Sequence, residues 1–187
     1  MIRLFYNYYE DKHPLRKREI DMCLQRNLNN KLITTIICES SSKPTYQFFF
    51  DQINKVSTED DINIICNSDI FFDETIVLVE NIKPKQLYAL SRWDWLGNDA
   101  FVRFFDRPDS QDTWIFKGKV EGVFGDFTLG TRGCDNRIAY EFHKAGYAVS
   151  NPSKSIRTYH VHNSGVRNYT MADVVPEPYL TIPASSL

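Results

Sequence analysis

Residues 61–76 read DINIICNSDIFFDETI, and this stretch decides how the chain folds. Ile62 to Cys66 form a run rich in branched apolar side chains, the pattern of a buried strand. The run stops abruptly on Asn67-Ser68-Asp69 before apolar character returns at Ile70. A strand that ends on a carboxylate has two explanations. One is an ordinary strand-to-helix turn; the other is a metal-binding site at the carboxyl edge of a sheet.

Working outward, residues 2–9 (IRLFYNYY) form a first strand and a turn follows at Pro14. LRKREIDMCLQRNLNN carries Leu15, Ile20, Cys23, Leu24 and Leu28 at helical spacing and is closed by Asn29-Asn30. LITTIICE is a second β-branched run, TYQFFFDQINKV a second helix and INIIC a third strand. Strand, helix, strand, helix, strand predicts an α/β fold with a mostly parallel central sheet flanked by helices. In such sheets ligands bind beyond the carboxyl ends of the strands. Those ends are Asn7-Tyr8-Tyr9, Glu39-Ser40 and Asn67-Ser68-Asp69, and the topology gathers them on one edge.

Downstream, Asp73 is placed to cap a short helix from Glu74. QLYALSRWDWL reads as one strand with a turn at Gly97-Asn98, and DTWIFKG as another strand. The glycine-rich section 118–136 is loop-like, and Gly125, Gly130 and Gly133 permit tight turns or close approach to a ligand. CDNRIAYEFHKAG is a helix with Asp135 at its start and Gly146 as its C-cap. YAVSNP and IRTYHVH are strands, and the proline-bearing tail beyond Met171 is extended. No repeat or linker divides the chain, so residues 1–187 are expected to form a single domain. Its three stretches are residues 1–80, residues 81–170 and a tail, residues 171–187.

Composition narrows the partners. The chain of 187 residues is 42% hydrophobic and 25% charged, ordinary for a globular protein with a substantial core. A formal charge of −2 gives no basis for nucleic-acid binding, which needs clustered Lys and Arg. The aromatic share of 14% fits either a heavy core or a flat-walled pocket. Cys23, Cys38, Cys66 and Cys134 lack C-x-x-C spacing and are expected to be reduced and structural. The N-terminus turns polar after six residues, unlike a signal peptide, and no apolar run approaches the ~20 residues of a membrane span. The expectation is a soluble, cytoplasmic protein.

The order of NSD, GCDN and YHVH resembles the GT-A glycosyltransferases, enzymes of nucleotide-diphospho-sugars with a metal-binding D-x-D motif after an early strand. Within that family the likeness is to small single-domain members, such as those of large algal viruses and some bacteria. NSDIFFDETI is similar to the D-x-D context with Asn67 at the first acidic position, and LGTRGCDNRIAYEFHKAGYAVSNPSKSIRTYHVH is similar to the later part. The resemblance spans residues 2–162 and implies a nucleotide-binding half (1–80) and an acceptor-binding half (81–170). It implies that Asp69 binds Mn²⁺ or Mg²⁺, the ion bridging the phosphates of the donor. His162, at the end of YHVH, would complete the metal shell; His160 and His162 alternate on a strand, so one of them faces the site. Imidazole favours Mn²⁺ over Mg²⁺. Asn67 would keep an oxygen acceptor for ribose or a metal-bound water, with Ser68 beside it.

On the same resemblance Asn7 and Tyr8 border the nucleotide base and Glu39 accepts a hydrogen bond from it. Surface packing is the alternative for Tyr8 and a solvated strand end for Glu39. Asp135 corresponds to the catalytic base of inverting members, where the alternative is a carboxylate favoured by the helix dipole. Asp112 would touch the donor sugar or the acceptor. Trp114 and Trp93 would offer stacking faces, with core packing as the alternative. Arg92 would contact the diphosphate or a sugar hydroxyl, the alternative being a strand-end ion pair. Arg18, of the Arg16-Lys17-Arg18 cluster, would lie near the phosphates.

The expected activity is transfer of a sugar, from a UDP-sugar, to a glycan or other hydroxyl acceptor with inversion. A different class of protein, a non-catalytic nucleotide-sugar or glycan-binding module on the same scaffold, is favoured by the Asn at the first motif position. A nucleotidyltransferase would need a Gly-rich K/R loop near the first strand, and none is present.

Overall fold

In the computed structural model, which describes residues 1–38, 43–166, 170 and 172–187, the chain is an α/β protein with two mixed sheets. Strands β1 (Ile2–Tyr6), β2 (Thr34–Ile37), β3 (Ile62–Cys66), β5 (Gln86–Leu90), β8 (Thr113–Lys117) and β9 (Ala148–Ser150) form a six-stranded sheet in the order β2-β1-β3-β8-β5-β9. Strands β4 (Ile70–Phe72), β6 (Trp93–Asn98), β7 (Phe101–Phe104) and β10 (Thr158–His160) form the second, ordered β4-β10-β6-β7. Helices α1 (Pro14–Asn29), α2 (Tyr46–Val56) and α3 (Cys134–Lys144) and a 3₁₀ helix (Glu74–Asn81) complete the elements.

The first half follows the crossover pattern, with β2, β1 and β3 parallel. The expectation of a mostly parallel sheet fails at β8, which runs antiparallel to both β3 and β5. The reason is connectivity: β8 pairs with its neighbours after an excursion of the chain through the second sheet, rather than through a crossover helix. That excursion also splits the expected strand in QLYALSRWDWL. Ser91 and Arg92 break it, β5 stays in the large sheet and β6 joins the small one. The turn falls at Asp99-Ala100 rather than at Gly97-Asn98. Gly97, at φ +95°, lies inside β6, where the register with β7 slips.

Side chains of the large sheet alternate between two apolar layers. Phe5, Ile65, Trp114 and Phe116 pack with Phe49 and Phe50 of α2 and Phe142 of α3. Leu4, Tyr6, Ile64, Cys66 and Ile115 pack with Leu24 of α1 and with Ile76 and Val79 of the 3₁₀ helix. Burial on both faces explains why INIIC is apolar at four of its five positions. All four cysteines are free and buried. No helix among the described residues is long and apolar enough to cross a membrane.

Helix α1 departs from its expected apolar stripe. Leu15 and Leu28 are exposed, and the inward face is Arg16, Glu19, Ile20, Cys23, Leu24 and Asn27. The polar members each have work. Asn27 donates to the Ile70 carbonyl at 2.8 Å and accepts from the Phe72 amide at 3.3 Å, so its side chain pairs with the free side of β4 as a neighbouring strand would. Arg16 and Glu19 belong to the site below.

The start of β3 is fixed by Asp61, which accepts from the Thr58 amide at 2.8 Å and hydroxyl at 3.0 Å and lies 3.2 Å from Arg3 Nε. Burial opposes the charge, but the Thr58 hydrogen bonds and the Arg3 guanidinium hold the Asp61 carboxyl down at about 2. Its contribution is therefore present above the unfolded value near 4 and is lost as pH falls towards 2. Asp61→Asn should lose about 1–2 kcal/mol of unfolding free energy at pH 7 by urea denaturation. The gap to wild type should close as the pH is lowered through that window.

Candidate metal centre and its cavity

The question raised by Asn67-Ser68-Asp69 is answered both ways. The triplet is a turn, closed by the Ile70 amide on the Asn67 carbonyl at 3.2 Å, but it leads into strand β4 rather than into a helix. Because β3 ends on the large sheet and β4 begins the small one, the turn lies where the two sheets meet. Val161, just past β10, donates its amide to the Asp69 carbonyl at 2.9 Å and ties the late segment to the turn.

Asp69 is 5% exposed and ringed by nitrogen atoms of three side chains. Its Oδ2 lies 2.6 Å from Arg16 Nη2, 3.1 Å from His160 Nε2 and 3.6 Å from His162 Nδ1. Asp69, His160 and His162 each offer a ligand atom, all within 4.8 Å of one another. The expectation that one histidine of YHVH faces the site is corrected here. Strand β10 stops at His160, so strand alternation does not govern residue 162. The two rings stack at 5.5 Å and 18°. One carboxylate and two imidazoles suit a first-row divalent ion such as Mn²⁺ and leave other positions for water or phosphate oxygen.

Burial alone would raise the Asp69 carboxyl, but His160, His162 and Arg16 hold it well below the ordinary carboxylate range. Burial would lower His160, and the Asp69 carboxylate with a hydrogen bond to Asp94 outweighs it, pushing the imidazole up to about 9. Arg16 is itself fixed: Nη1 donates to Glu19 and to the Val161 carbonyl, each at 3.0 Å. Glu19 in turn accepts from the Ser164 amide at 2.6 Å and hydroxyl at 2.8 Å. Helix α1 thus bolts the segment bearing His162 to the turn bearing Asp69.

These residues line a cavity of about 850 Å³, a size that accommodates a drug-sized or nucleotide-sized ligand. Of the residues singled out in the sequence, Asn7, Asn67, Ser68, Arg92 and Asp112 share its wall with Asp69, His160 and His162. Ser68 Oγ donates to the Asn7 carbonyl at 2.7 Å, and Tyr6 donates its hydroxyl to the Ser68 carbonyl. Asn67 Nδ2 donates to Asp112 Oδ1 at 2.7 Å, so its side chain is engaged with a carboxylate rather than with the cluster. Arg92 donates to Asp112 at 2.8 Å and to Asp94 at 3.1 Å and stacks 4.0 Å from the Phe105 ring.

Other expected site residues lie elsewhere. Arg18 is exposed. Arg16, two residues earlier and about 200° around the helix, turns inward and takes its place. Trp114 is 1% exposed in the core of β8, packed edge-on against Tyr46 at 5.0 Å. Trp93 packs against Phe104 and donates to the Ser153 carbonyl at 3.0 Å. The aromatic wall of the cavity is instead Trp95, Phe105 and Tyr9. Tyr8 turns away and donates to Asp21 at 2.8 Å, leaving the wall to its neighbour Tyr9. Glu39 lies outside the described residues. Arg16 and His160 were passed over in favour of Arg18 and His162, although the spacing of Arg16 with Ile20, Cys23 and Leu24 and the YHVH motif mark them in the sequence; Asp94, Arg103 and Trp95 were not expected.

Asp112 contributes a carboxylate to the cavity wall and Asp135 does not. Asp135 sits directly behind, half-buried at the start of α3, accepting from the Gln111 amide at 3.3 Å. The preceding Gly133 adopts φ +80°, and a Cβ there would meet Tyr179 Oη at 2.7 Å, so only glycine fits this approach to the helix. Burial, with the Asp112 charge second, raises the Asp135 carboxyl to about 6.

Comparison with protein-family models, with curated proteins and with solved structures finds no match to this chain.

A carboxyl raised in the folded state favours folding at low pH and loses that advantage as pH rises through its folded value. Asp135→Asn should therefore stabilise the protein by roughly 1–3 kcal/mol at pH 8, and the gain should vanish by about pH 4. Paired urea titrations at the two pH values measure it.

Proposed function

We propose that the chain is a divalent-metal-dependent glycosyltransferase of GT-A type, moving a sugar from a nucleotide-diphospho-sugar, a UDP-sugar in the first instance, to an acceptor hydroxyl. The observation that carries the reading is convergence. Asp69, His160 and His162 meet Arg16, Arg92 and Arg103 in one cavity at the carboxyl edge of β1 and β3. Cations of fixed charge beside a three-ligand metal cluster suit a diphosphate better than a neutral substrate.

The ion, held by Asp69, His160 and His162, would supply charge neutralisation for the departing diphosphate. Asn7 and Ser68 stand where a nucleoside would lie along the end of β1. Arg92 and Asp112, already joined to each other, are placed to orient hydroxyls of the donor sugar. Both Asp112 oxygens are engaged, one by Asn67 and one by Arg92. Asp135, raised to about 6, is the better proton acceptor near neutral pH. In the step proposed, the acceptor oxygen attacks the anomeric carbon and hands its proton to a bridging water, which passes one of its own to Asp135 behind the cavity wall. The bond from that carbon to the phosphate oxygen breaks, its electron pair leaving with the diphosphate. Attack from the face opposite the diphosphate inverts the anomeric centre. A module that binds nucleotide-sugars without turnover shares every contact except the proton transfer.

Calorimetry with UDP and Mn²⁺ should give metal-dependent UDP binding to wild type that Asp69→Ala abolishes; equal binding by both proteins removes the assigned site. With UDP-sugar and no acceptor, slow Mn²⁺-dependent release of UDP separates the enzyme from the binding module. Asp135→Asn should lower turnover by about 10²–10⁴-fold. The wild-type rate should rise with pH through about 6, where the base loses its proton.

A further inference from the structure

Strand register sets an ionisable row across the small sheet. His160 of β10 is the direct partner of Asp94 of β6, and Asp94 is the direct partner of Arg103 of β7. Directly opposed residues on one face lie close enough for their side chains to interact. The row is joined end to end: His160 Nδ1 is 3.3 Å from Asp94 Oδ1, and Arg103 Nη2 donates to Asp94 Oδ2 at 3.2 Å. Arg92 adds a second donor to Asp94 Oδ1 at 3.1 Å. The other imidazole nitrogen, Nε2, points at Asp69.

We propose that Asp94 is the positioning residue of the metal centre. It keeps the proton on Nδ1 of His160, so that Nε2 is the nitrogen that gives up its proton to ligate. The inference rests on the reading of Asp69, His160 and His162 as metal ligands. A neutral imidazole has one donor nitrogen and one acceptor nitrogen, and the partner of the first decides which atom is the second. A carboxylate on the far nitrogen fixes the ring's orientation and increases its basicity toward the metal. Asp94 does not reach the cluster itself, since His160 stands between. Arg92 and Arg103 in turn keep its carboxylate aimed from two sides. Strand alternation keeps this row apart from the aromatic cluster of Trp93, Trp95, Val102, Phe71 and Tyr159, which packs on the opposite face of the same sheet.

The test is binding of Mn²⁺ alone, followed by loss of the free-ion EPR signal, with melting temperature of the cation-free protein as the fold control. Asp94→Asn and Asp94→Ala should weaken Mn²⁺ binding by about 10–100-fold while the melting curve stays cooperative. Asp94→Glu should recover part of the loss. Arg103→Ala removes an exposed partner of the same carboxylate, its side chain 71% accessible, and should change affinity by less than about threefold. In the Zn²⁺-loaded protein, imidazole ¹⁵N NMR should find His160 protonated at Nδ1, a signature that Asp94→Ala disperses. Unchanged Mn²⁺ affinity in folded Asp94→Asn overturns the proposal, and so does an equal loss in Arg103→Ala, which would make Asp94 an ion-pair partner alone. Should Asp94→Ala not fold, the isosteric Asn variant decides. Failure of the wild type to bind Mn²⁺ removes the metal centre and the proposal with it, a result distinct from indifference to Asp94.

Discussion

The structure around the cavity depends on keeping one carboxylate charged where water barely reaches. Asp69 is almost fully buried, and removing an ion from water carries a penalty of several kcal/mol even after the protein relaxes. The protein meets that penalty with Arg16 at 2.6 Å and two imidazoles. Each of these brings its own requirement. Arg16 needs Glu19 and the Val161 carbonyl, Glu19 needs Ser164, and His160 is held by Asp94. The network therefore fixes α1, the β3–β4 turn, β6 and the segment after β10 relative to one another. Two sheets that share no strand pairing are joined through it.

A buried ionic network is weak evidence for stability, since apolar residues of similar volume would often serve the fold equally well. Its persistence here points to use of the charges. The same holds for Asp135, whose carboxyl is raised by burial and by Asp112 to a value where it destabilises the folded state above neutral pH. Two carboxylates in one region are set apart, one held far below its ordinary value and one lifted above it, and under the proposed function these are the ligand and the base. Environment makes that division; the residue type is the same.

How much of this was legible in the sequence varies by element. INIIC, the first crossover units and the helix at 134–144 follow from side-chain periodicity, because burial on both faces of a sheet and on one face of a helix leaves a local pattern. Asn7, Ser68 and Asp69 line one cavity because strand ends on one edge must converge whatever the loops do, whereas Arg92 and Asp112, expected only on the family resemblance, reach the same wall from the later strands. The reversed strand β8 and the second sheet were not legible. Which strands pair depends on partners distant in sequence, and short pieces such as IFF and FVRF carry no period of their own.

Arg16 illustrates a different blindness. Positions 16, 19, 20, 23, 24 and 27 have the spacing of a buried helical stripe, but Arg, Glu and Asn occupy half of it. A search for apolar residues selects Leu15 and Leu28 instead, and both are exposed. The polar members of the stripe become intelligible only beside what they touch, Asp69 for Arg16, Ser164 for Glu19 and strand β4 for Asn27. His160 escaped for a related reason, since the strand that would have separated it from His162 ends one residue too early. Aromatic residues mislead in the opposite sense. Trp114 and Trp95 are the same side chain, but one faces the core from a central strand and the other lines a cavity from a strand of the small sheet. Chemistry-bearing residues in this protein are distinguished by the layer to which the backbone delivers them, and that layer is decided by pairings hundreds of atoms away along the chain.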